Sequence, residues 1–555
     1  MRFLSNARMY GRFAFGLPAF LRRRISLDEA RALVRKGLAE RDANFLRVVK
    51  RGIYDNPRSP YRPLLGIARW GLRDIENSVQ TKGVEPTLHE LRGAGVYFTF
   101  EEYKGRTPVV RGGQVVPVDA RNFDNPFAAR AYEASTGGST GAGTRVAMDL
   151  DTMAAQVPHI LLARQVNDML EGPMAIWRGT LPDPTGVGII LRAAVHGGMP
   201  QRWFTPITRA DFKPALKDRL ATSGIIALTR LFGVPCPRPE PVPIDQAGVL
   251  ARWAAGTVRE HGRCVIGVAV GLACRICLAA LDEGISLTGV VFMSGGEPFT
   301  PARAQVIART GARLVPHYIS VDAGPIGISC ARPSAVDDLH LLSDCVALIQ
   351  HPRQIAHSDV SVDAFYFTAL RPTASKILVN VESDDHGVLE KRSCGCPLEA
   401  LGYTHHLRQV RSFGKLTGEG VTLVGSDMVR ILEEVLPARF GGSPQDFQLL
   451  EEEDEHGLSR LTLLVSPRLP IDREDLVVKT VLEALGRSSV AADLARAFWQ
   501  QAGTFRVTRA EPVWTNRGKF SPLRIGGRST REAGGGAESS QDSSSSTPVG
   551  AGTPS

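Results

Sequence analysis

Residues 265–293 read VIGVAVGLACRICLAALDEGISLTGVVFM and carry the clearest signal of the protein's architecture. Val265–Val270 and Gly289–Met293 are short apolar runs, which are typical of strands buried on both faces of a sheet. The segment between them, Arg275–Leu281, has the composition of a helix. A strand, a helix and a second strand in this order predict a parallel sheet, and therefore an α/β protein.

The 555 residues are too many for one ordinary core, and the chain is predicted to divide into four segments. A basic helical extension over residues 1–80 precedes a large domain over residues 81–412, which combines mixed sheets and helices. Residues 413–525 are predicted to form a small, mobile α+β domain with helices at Asp427–Leu436 and Arg473–Leu485 and a strand at Leu461–Ser466. Residues 526–555 are rich in Gly, Ser and Pro with almost no apolar side chains, so disorder is predicted.

Local patterns predict further elements in the first two segments. Leu27–Val49 has apolar residues at helical spacing, and Ser26 precedes it as a candidate N-cap. The runs Gly95–Phe100 and Pro108–Val110 are β-rich.

The net charge of +9 is concentrated at one end of the chain. Residues 1–60 contain 14 Lys and Arg against 5 Asp and Glu, so the remaining residues sum to zero. A nucleic-acid partner is not expected, because it would require a basic patch on the folded body. The basic end is most simply a solvated helix face; attachment to an anionic membrane surface, or attraction of an anionic cofactor, are alternatives.

The composition, 43% hydrophobic and 22% charged, is that of a globular protein rather than a disordered or membrane one. Phe13–Leu21 is too short to span a bilayer and contains Pro18, and no later segment reaches about 18 apolar residues. A cytoplasmic location is therefore expected, where the eight cysteines would be thiols or metal ligands.

A glycine-rich run, STGGSTGAGTR at residues 135–145, is a candidate phosphate-binding loop. Glycines allow the backbone to approach a phosphate closely, and amide and hydroxyl groups supply hydrogen-bond donors. The run lacks the Gly-Lys-Ser/Thr ending of a P-loop and the strand and acidic residue of a dinucleotide fingerprint. On its own, it is either a nucleotide loop or an ordinary flexible loop.

Four further motifs follow the loop along the chain. They are Ser294-Gly-Gly-Glu-Pro298, Tyr318-Ile-Ser-Val-Asp322, Ser383-Asp-Asp-His-Gly387 and Pro512-Val-Trp-Thr-Asn-Arg-Gly-Lys519. With the loop, they resemble the motifs of the adenylate-forming superfamily of acyl- and aryl-CoA synthetases, within it the phenylacetate-CoA ligase branch. The resemblance extends from about residue 130 to residue 525. It implies a large domain that binds ATP and the acid, with a small C-terminal domain that closes on it.

The resemblance also implies roles for individual residues. Tyr318 would stack on adenine, and Asp385 would accept both ribose hydroxyls, because a carboxylate offers paired acceptors. Lys519 would contact the acid and the α-phosphate, where a cation offsets the negative charge that grows in the transition state. The implied nucleotide-binding set is Ser135, Thr136, Gly137, Gly138, Ser139, Thr140, Gly141, Thr144, Gly295, Gly296, Glu297, Pro298, Tyr318, Asp385 and Lys415.

The chain departs from the family pattern at several positions. Val321 replaces a threonine that bonds phosphate, and valine cannot donate a hydrogen bond. Asp322 replaces the glutamate that holds Mg²⁺, although its oxygens still suit this cation. Gly143 replaces a proline, and Lys415 stands where the family has the arginine of its hinge. His196, in a His-Gly-Gly sequence like one bordering the acyl pocket of this branch, is equally plausible as a core histidine.

Four residues form a candidate zinc site: Cys330, His340, Cys394 and Cys396. Three thiolates and an imidazole suit tetrahedral zinc, and members of the phenylacetate-CoA ligase branch have cysteines and a histidine placed like these. Buried cysteines without metal, or another ligand set, are the alternatives. The rival pair Cys274 and Cys277 lies in an apolar run that predicts a buried helix face.

The implied function is the ATP- and Mg²⁺-dependent activation of a small carboxylic acid, aryl or arylacetic by resemblance, followed by thioester formation with coenzyme A. Transfer to the pantetheine of a carrier protein or to an amine is one alternative. A degenerate member that binds nucleotide without catalysis is a second, motivated by Val321 and Asp322. A protein attached to a membrane through its basic end is a third.

Overall fold

The structure is a computed structural model, and it describes residues 2–127, 133–135, 145–147, 149–207, 212–354, 361–412, 415–418, 421–486, 490–513, 520 and 522–525. The predicted phosphate loop from Thr136 to Thr144, the catalytic candidate Lys519 and the predicted disordered tail lie outside these ranges.

The first hundred described residues are mainly helical. The helices are α1 (Arg2–Arg22), α2 (Leu27–Ala39), α3 (Arg41–Val49, continued by a π-turn at Lys50–Tyr54), α4 (Tyr61–Ala68), α5 (Leu72–Lys82), α6 (Val84–Gly93) and α7 (Phe100–Tyr103). The predicted N-cap is confirmed, because Ser26 Oγ accepts from Glu29 N at 3.2 Å and Ser26 N donates to Glu29 Oε2 at 2.8 Å. The predicted helix is divided into α2 and α3 at Glu40.

One predicted β-run is wrong. Within Gly95–Phe100 only Phe98 makes a strand-like bridge, to Val381, while Phe100 begins α7. The physical reason is a capping box, in which Thr99 Oγ1 accepts from Glu102 N and the Glu102 side chain accepts from Thr99 N. The other run is confirmed as strand β1 (Val109–Arg111), which pairs with β2 (Gln114–Val116).

The centre of the molecule is a twelve-stranded sheet whose first half is parallel. Its elements, with the small hairpin that precedes them, are β3 (Glu133–Ser135), β4 (Arg145–Ala147), α8 (Leu150–Val166), β5 (Met174–Trp177), α9 (Thr185–His196), β6 (Arg202–Thr205), α10 (Leu216–Leu231), β7 (Pro239–Pro241), α11 (Gly248–His261), β8 (Cys264–Val268), α12 (Val270–Asp282), β9 (Val290–Gly295), α13 (Pro301–Arg309) and β10 (Arg313–Ser320). The parallel strands lie in the order β7-β6-β5-β8-β9-β10. The unit predicted around residues 265–293 is thus confirmed as β8, α12 and β9.

The second half of the sheet is antiparallel. Its elements are β11 (Gly324–Ser329), β12 (Leu339–Leu341), β13 (Val346–Gln354), β14 (Ser361–Ala369), β15 (Val381–Lys391), α14 (Pro397–Ala400) and β16 (His405–Ser412). They continue from β10 in the order β11-β12-β16-β15-β14-β13. The change of direction at β10 and β11 places the turns after β9 and β10 beside the ends of β15 and β16.

The C-terminal residues form their own smaller sheet. After the hairpin β17 (Lys415–Gly418) and β18 (Val421–Val424) come α15 (Gly425–Arg430), a π-turn at Ile431–Val435, α16 (Leu436–Phe440), β19 (Phe447–Glu453), β20 (Ser459–Val465), α17 (Glu474–Gly486), α18 (Val490–Ala502), β21 (Phe505–Arg509) and β22 (Leu523–Ile525). The last four strands lie in the order β21-β20-β19-β22. The α/β class with a C-terminal α+β unit is confirmed, as are the helices and strand predicted within that unit.

Apolar side chains from both units join in one core. Ile266 and Val306, from the large sheet and α13, belong to the same buried cluster as Leu461 and Trp499 of the C-terminal unit. The domain boundaries at residues 80, 412 and 525, and the mobility of the smaller unit, stay predictions. Within the described ranges, no helix is both long and apolar enough to cross a membrane.

Candidate functional site

A cavity of about 680 Å³ lies where the parallel and antiparallel halves of the sheet meet. Its wall includes members of three predicted motifs, namely Gly295, Gly296, Glu297, Pro298, Tyr318, Val321, Asp322 and Asp385. These residues come from β9, β10 and β15 and from the turns that follow β9 and β10, so they are brought together only by the fold. Helices α8 and α9 also contribute to the lining, including His196.

The glycine turn after β9 approaches its neighbours too closely for larger residues. A Cβ on Gly295 would lie 2.9 Å from the carbonyl oxygen of His317, and Gly296 has φ of +92°. The side chain of Glu297 is fully buried; it accepts a bond from Gly271 N at 2.6 Å and lies 3.5 Å from Arg303 Nη1. Its carboxylate therefore holds the start of α12 against the turn, a structural role that the motif alone did not reveal.

Tyr318 and Asp385 form a hydrogen-bonded pair across the cavity wall. Tyr318 Oη donates to Asp385 Oδ2 at 2.6 Å, and Ser412 Oγ donates to Asp385 Oδ1 at 2.5 Å. Burial, together with the Asp385 carboxylate, raises the pKa of Tyr318 well above its ordinary value, so the phenol keeps its proton. The arrangement fixes a carboxylate beside an aromatic ring, the two groups predicted to receive ribose and adenine.

Asp322, the predicted Mg²⁺ ligand, has a protein cation beside it. Asp322 Oδ2 lies 3.0 Å from Lys104 Nζ, and both side chains are largely buried. Although burial opposes ionisation, the charges of Lys104 and Lys376 hold the pKa of Asp322 below its ordinary value. Asp322 thus offers an ionised oxygen ligand of the kind Mg²⁺ prefers, with Lys104 already supplying positive charge at that place. Next to it, the half-exposed Val321 contributes only apolar surface.

Two other predicted nucleotide contacts are positioned only by their backbone. Ser135 ends β3 and pairs with Arg145 of β4, so the predicted phosphate loop connects two paired strands. Lys415 begins β17, opposite Val424.

The predicted zinc ligands are brought together. The ligand atoms of Cys330, His340, Cys394 and Cys396 all lie within 4.8 Å of one another. His340 Nε2 is 3.1 Å from Cys396 Sγ and 3.6 Å from Cys394 Sγ. On its other side, His340 Nδ1 donates to the carbonyl oxygen of Tyr403 at 2.9 Å, which leaves Nε2 free to bind a metal.

Electrostatics also favour a metal at this cluster. A hydrogen bond from Cys330, supplemented by His340, lowers the pKa of Cys396 to about 3, so this sulfur is a thiolate. Three sulfurs and one correctly oriented imidazole fit tetrahedral zinc. By contrast, the rival Cys274 and Cys277 are buried in α12, and burial raises the pKa of Cys277 to about 12. All eight cysteines are free of disulfides.

Sequence reasoning missed several cavity residues. Lys104 and Ser412 contact Asp322 and Asp385 across separations of 218 and 27 residues, and neither belongs to a recognisable motif. Arg164 and Arg192 also line the cavity, on α8 and α9. The helical spacing of Arg192 and His196 was the one available signal, because residues four apart share a helix face.

Comparison with solved structures places the fold. A crystal structure of 2-hydroxyisobutyryl-CoA ligase, in complex with 2-HIB-AMP and CoA in the thioesterification state, superposes with a TM-score of 0.52 over 88% of this chain and 90% of that chain, at 13% identity. The chain has the fold of 2-hydroxyisobutyryl-CoA ligase. The predicted architecture of an adenylate-forming enzyme agrees with this match.

Two more distant structures have lower scores. They are o-succinylbenzoate CoA synthetase of Bacillus subtilis (TM-score 0.39, 11% identity, 78% of this chain and 79% of that chain) and the amide bond synthetase McbA of Marinactinospora thermotolerans (TM-score 0.36, 14% identity, 86% and 92%). No protein-family model and no curated protein matches the sequence.

Proposed function

We propose that this protein activates a carboxylic acid with ATP, forming an acyl-adenylate and pyrophosphate, and then transfers the acyl group to coenzyme A. The observation that carries the proposal is the shared cavity: the glycine turn, Tyr318, Asp322 and Asp385 line one space in a chain with the fold of 2-hydroxyisobutyryl-CoA ligase. Each motif taken singly has an ordinary structural explanation, as part of a turn or a strand. Their convergence on one cavity is not expected from such local explanations.

The residues have complementary roles in the proposed adenylation. Tyr318 and the glycine turn bind adenine, and Asp385 accepts the ribose hydroxyls. Asp322 is the proposed Mg²⁺ ligand, and the metal would neutralise phosphate charge when bound. Lys519 is the proposed cation beside the α-phosphate when the acid's carboxylate attacks. The phosphate loop and Lys415 complete the proposed nucleotide contacts.

We further propose that Cys330, His340, Cys394 and Cys396 hold a structural zinc ion. The zinc would join the end of β11 and strand β12 to the loop between β15 and β16. Its role is to hold these elements together, and it takes no part in the reaction.

Acid-dependent release of pyrophosphate tests the adenylation. The purified protein is supplied with ATP, Mg²⁺ and a panel of aryl, arylacetic and aliphatic acids, first without and then with coenzyme A. We expect pyrophosphate release that depends on the acid, and a thioester only when coenzyme A is present. Acid-dependent pyrophosphate release without formation of a thioester would instead favour an amine or a carrier-protein pantetheine as the acyl acceptor. ATP binding with no pyrophosphate release from any acid would overturn the proposal.

Two observations favour a second candidate, a nucleotide-binding protein without catalysis. Val321 cannot donate to a phosphate, and Lys104 already neutralises Asp322. Titration with ATP in the presence and absence of Mg²⁺ separates the two. The enzyme is expected to bind ATP more tightly with Mg²⁺, whereas equal affinity would support the second candidate.

A further inference from the structure

One wall of the cavity is formed by matching faces of α8 and α9. From α9, the cavity is lined by Thr185, Gly188, Ile189, Arg192 and His196, which follow the spacing of a single helix face. From α8, Gln156, Ile160 and Arg164 face the same space. Thus two arginines and a histidine line the same cavity as the proposed nucleotide contacts.

The guanidinium of Arg192 has few partners that would stabilise its positive charge. Its guanidinium Nη1 donates one hydrogen bond, to Gln156 Oε1 at 3.2 Å, and Gly188 leaves the space beside it open. A Cβ on Gly188 would lie 3.2 Å from Arg192 Nη2. Burial lowers the pKa of Arg192 to about 10, and within the described part of the chain no carboxylate opposes this effect.

Arg164 adds a second positive charge nearby. It is 2% exposed and donates Nε and Nη2 to the carbonyl oxygen of Met169, at 3.0 and 2.8 Å. Its third contact is with His196 Nδ1, at 3.3 Å from Nη1. None of these partners is an anion, so the charges of Arg164 and Arg192 both remain uncompensated among the described residues.

His196 faces the cavity as a hydrogen-bond donor. Its Nδ1 accepts from Arg164 and from Gly198 N at 3.1 Å, so Nδ1 carries no proton. Burial, with the charges of Arg164 and Arg192, lowers the pKa of His196 to about 3, and the ring is neutral near pH 7. The single proton of a neutral imidazole must then sit on Nε2.

The acidic residues of the cavity do not compensate these charges, because they have other partners. Those partners are Lys104 for Asp322, Arg303 for Glu297, Arg411 for Asp337, the Thr185 N–H and the Arg178 charge for Asp183, the Asp151 N–H for Asp149, Tyr366 for Glu382, and Tyr318 and Ser412 for Asp385. A buried cation without a counter-ion is costly, and a bound anion would remove the cost. Arginine suits a carboxylate in particular, since its planar fork matches the two oxygens.

We propose that the acid activated at this site is a dicarboxylic acid, whose second carboxylate is bound by Arg192 and the Nε2–H of His196. The inference rests on the proposed function and narrows its substrate class. One carboxylate would be placed for adenylation, and the other would be held on the wall formed by α8 and α9. Arg164 acts as a positioning residue, because it fixes the tautomer of His196 and adds positive potential.

Matched pairs of acids test the proposal, each differing by a single carboxylate: terephthalate against benzoate, 4-carboxyphenylacetate against phenylacetate, and adipate against hexanoate. Two readouts are used, the thermal stabilisation of the protein by each acid and its kcat/KM for pyrophosphate release. We expect the dicarboxylic member of at least one pair to stabilise the protein and to be preferred by about tenfold or more, as for a charge-assisted contact.

Substitution of Arg192 identifies the contact. Arg192→Gln is expected to lower kcat/KM for the dicarboxylic acid by about 100-fold while leaving the monocarboxylic partner within about threefold. Arg192→Lys keeps the positive charge but lacks the planar guanidinium, so its kcat/KM for the dicarboxylic acid is expected to lie between those of wild type and Arg192→Gln. The unliganded Arg192→Gln protein should melt no lower than wild type, because it loses an uncompensated charge. Arg219→Gln, at an exposed position on α10, is the control.

Different results would contradict the proposed carboxylate subsite and the proposed adenylation activity. Stabilisation by dicarboxylic acids that is lost in Arg192→Gln supports the subsite, even when no pyrophosphate is released and the adenylation proposal has failed. Equal stabilisation by both members of every pair, or by neither, overturns the subsite. An equal loss of activity towards both members in Arg192→Gln also overturns it, since Arg192 would then hold the reacting carboxylate or the nucleotide.

Discussion

Among single residues, Asp385 has the most closely defined environment in the proposed nucleotide site. Both of its oxygens already accept a hydroxyl from the protein, at 2.6 Å from Tyr318 and 2.5 Å from Ser412. An ionised carboxylate offers about four acceptor positions, so acceptance from these two hydroxyls is compatible with the proposed bonds to a ribose. The resemblance of the Ser383–Gly387 motif predicted the role of Asp385, but the support from Ser412 depends on the pairing of β15 with β16, which no local pattern encodes.

Replacing Asp385 by asparagine is expected to weaken ATP binding by about 10- to 100-fold, the effect of losing charge-assisted hydrogen bonds. The amide nitrogen of asparagine is itself a donor, so it would face the hydroxyl of Tyr318 or Ser412, which donates to the carboxylate in wild type. Isothermal titration with ATP measures the effect. Ser412→Ala is the control, because it leaves the carboxylate intact, and its affinity should remain within about threefold of wild type. Wild-type affinity in Asp385→Asn would refute the assignment.

At the scale of elements, Asp344 links four segments of the large unit. It is fully buried between β12 and β13, where His159 of α8 lies at 3.0 Å and Tyr403 donates at 2.7 Å. Arg371, which follows β14, forms an ion pair with the same carboxylate, and a Cβ on Gly37 of α2 would touch it. Although burial opposes ionisation, His159 and Arg371 hold the pKa of Asp344 well below its ordinary value.

Asp344→Asn is therefore expected to destabilise the protein by about 3–5 kcal/mol at pH 7, because it leaves the Arg371 guanidinium without its buried carboxylate partner. The folded protein keeps this carboxyl ionised at pH values where the unfolded chain protonates it. Its contribution is thus complete above the unfolded pKa of about 4 and is lost as pH falls below that value. Urea unfolding at pH 7 and pH 3 measures both effects. A similar deficit at the two pH values would contradict this account.

The proposed zinc cluster also links secondary-structure elements, because its ligands come from the end of β11, from β12 and from the loop before α14. Purified protein is expected to contain one zinc ion per chain by elemental mass spectrometry. Cys396→Ser should lose the metal and lower the melting temperature, and a strong chelator should do the same to wild type. Cys236→Ser, at a buried cysteine outside the cluster, should retain zinc. Metal-free wild-type protein with unchanged stability would exclude the site.

Local chemistry explains which elements could be predicted. Ser26 and Glu29 form a capping box within four residues, and the apolar runs around residues 265–293 signal strands directly. The same local chemistry caused the error at Gly95–Phe100, where the cap formed by Thr99 and Glu102 outweighed β-rich composition. Interactions between distant segments, such as those of Lys104 with Asp322 and Arg303 with Glu297, have no local signature and required the structure.

For the whole molecule, the central question is how the C-terminal unit meets the cavity. Arg303 connects them: it donates to Pro298 O of the glycine turn and to Gly457 O and Ser459 Oγ of the C-terminal unit, each at 2.8 Å. The fold class and the order of the motifs were predictable, because they depend on composition and sequence. The orientation of the two units was not, since it depends on contacts such as these.

Lys519 provides the test at this scale. The segment that contains it lies between two anchors on β19: Val513 exchanges two hydrogen bonds with Gln448, at 2.8 and 2.9 Å, and Leu523 pairs with Leu449. Lys519 itself lies outside the described residues, and its delivery to the cavity by the smaller unit stays a prediction. If its cation stabilises the transition state of adenylation, its removal should affect that step above all.

Lys519→Ala is expected to slow acid-dependent pyrophosphate release by several hundredfold or more, equivalent to the loss of about 3–4 kcal/mol of transition-state stabilisation. Thioester formation from a supplied acyl-adenylate should change much less, since the phosphate chemistry is then complete. Lys479→Ala, at an exposed lysine on α17 of the same unit, is the matched control and should behave as wild type. Equal loss in both half-reactions would mean that Lys519 supports the closed arrangement of the two units rather than the attack on the α-phosphate.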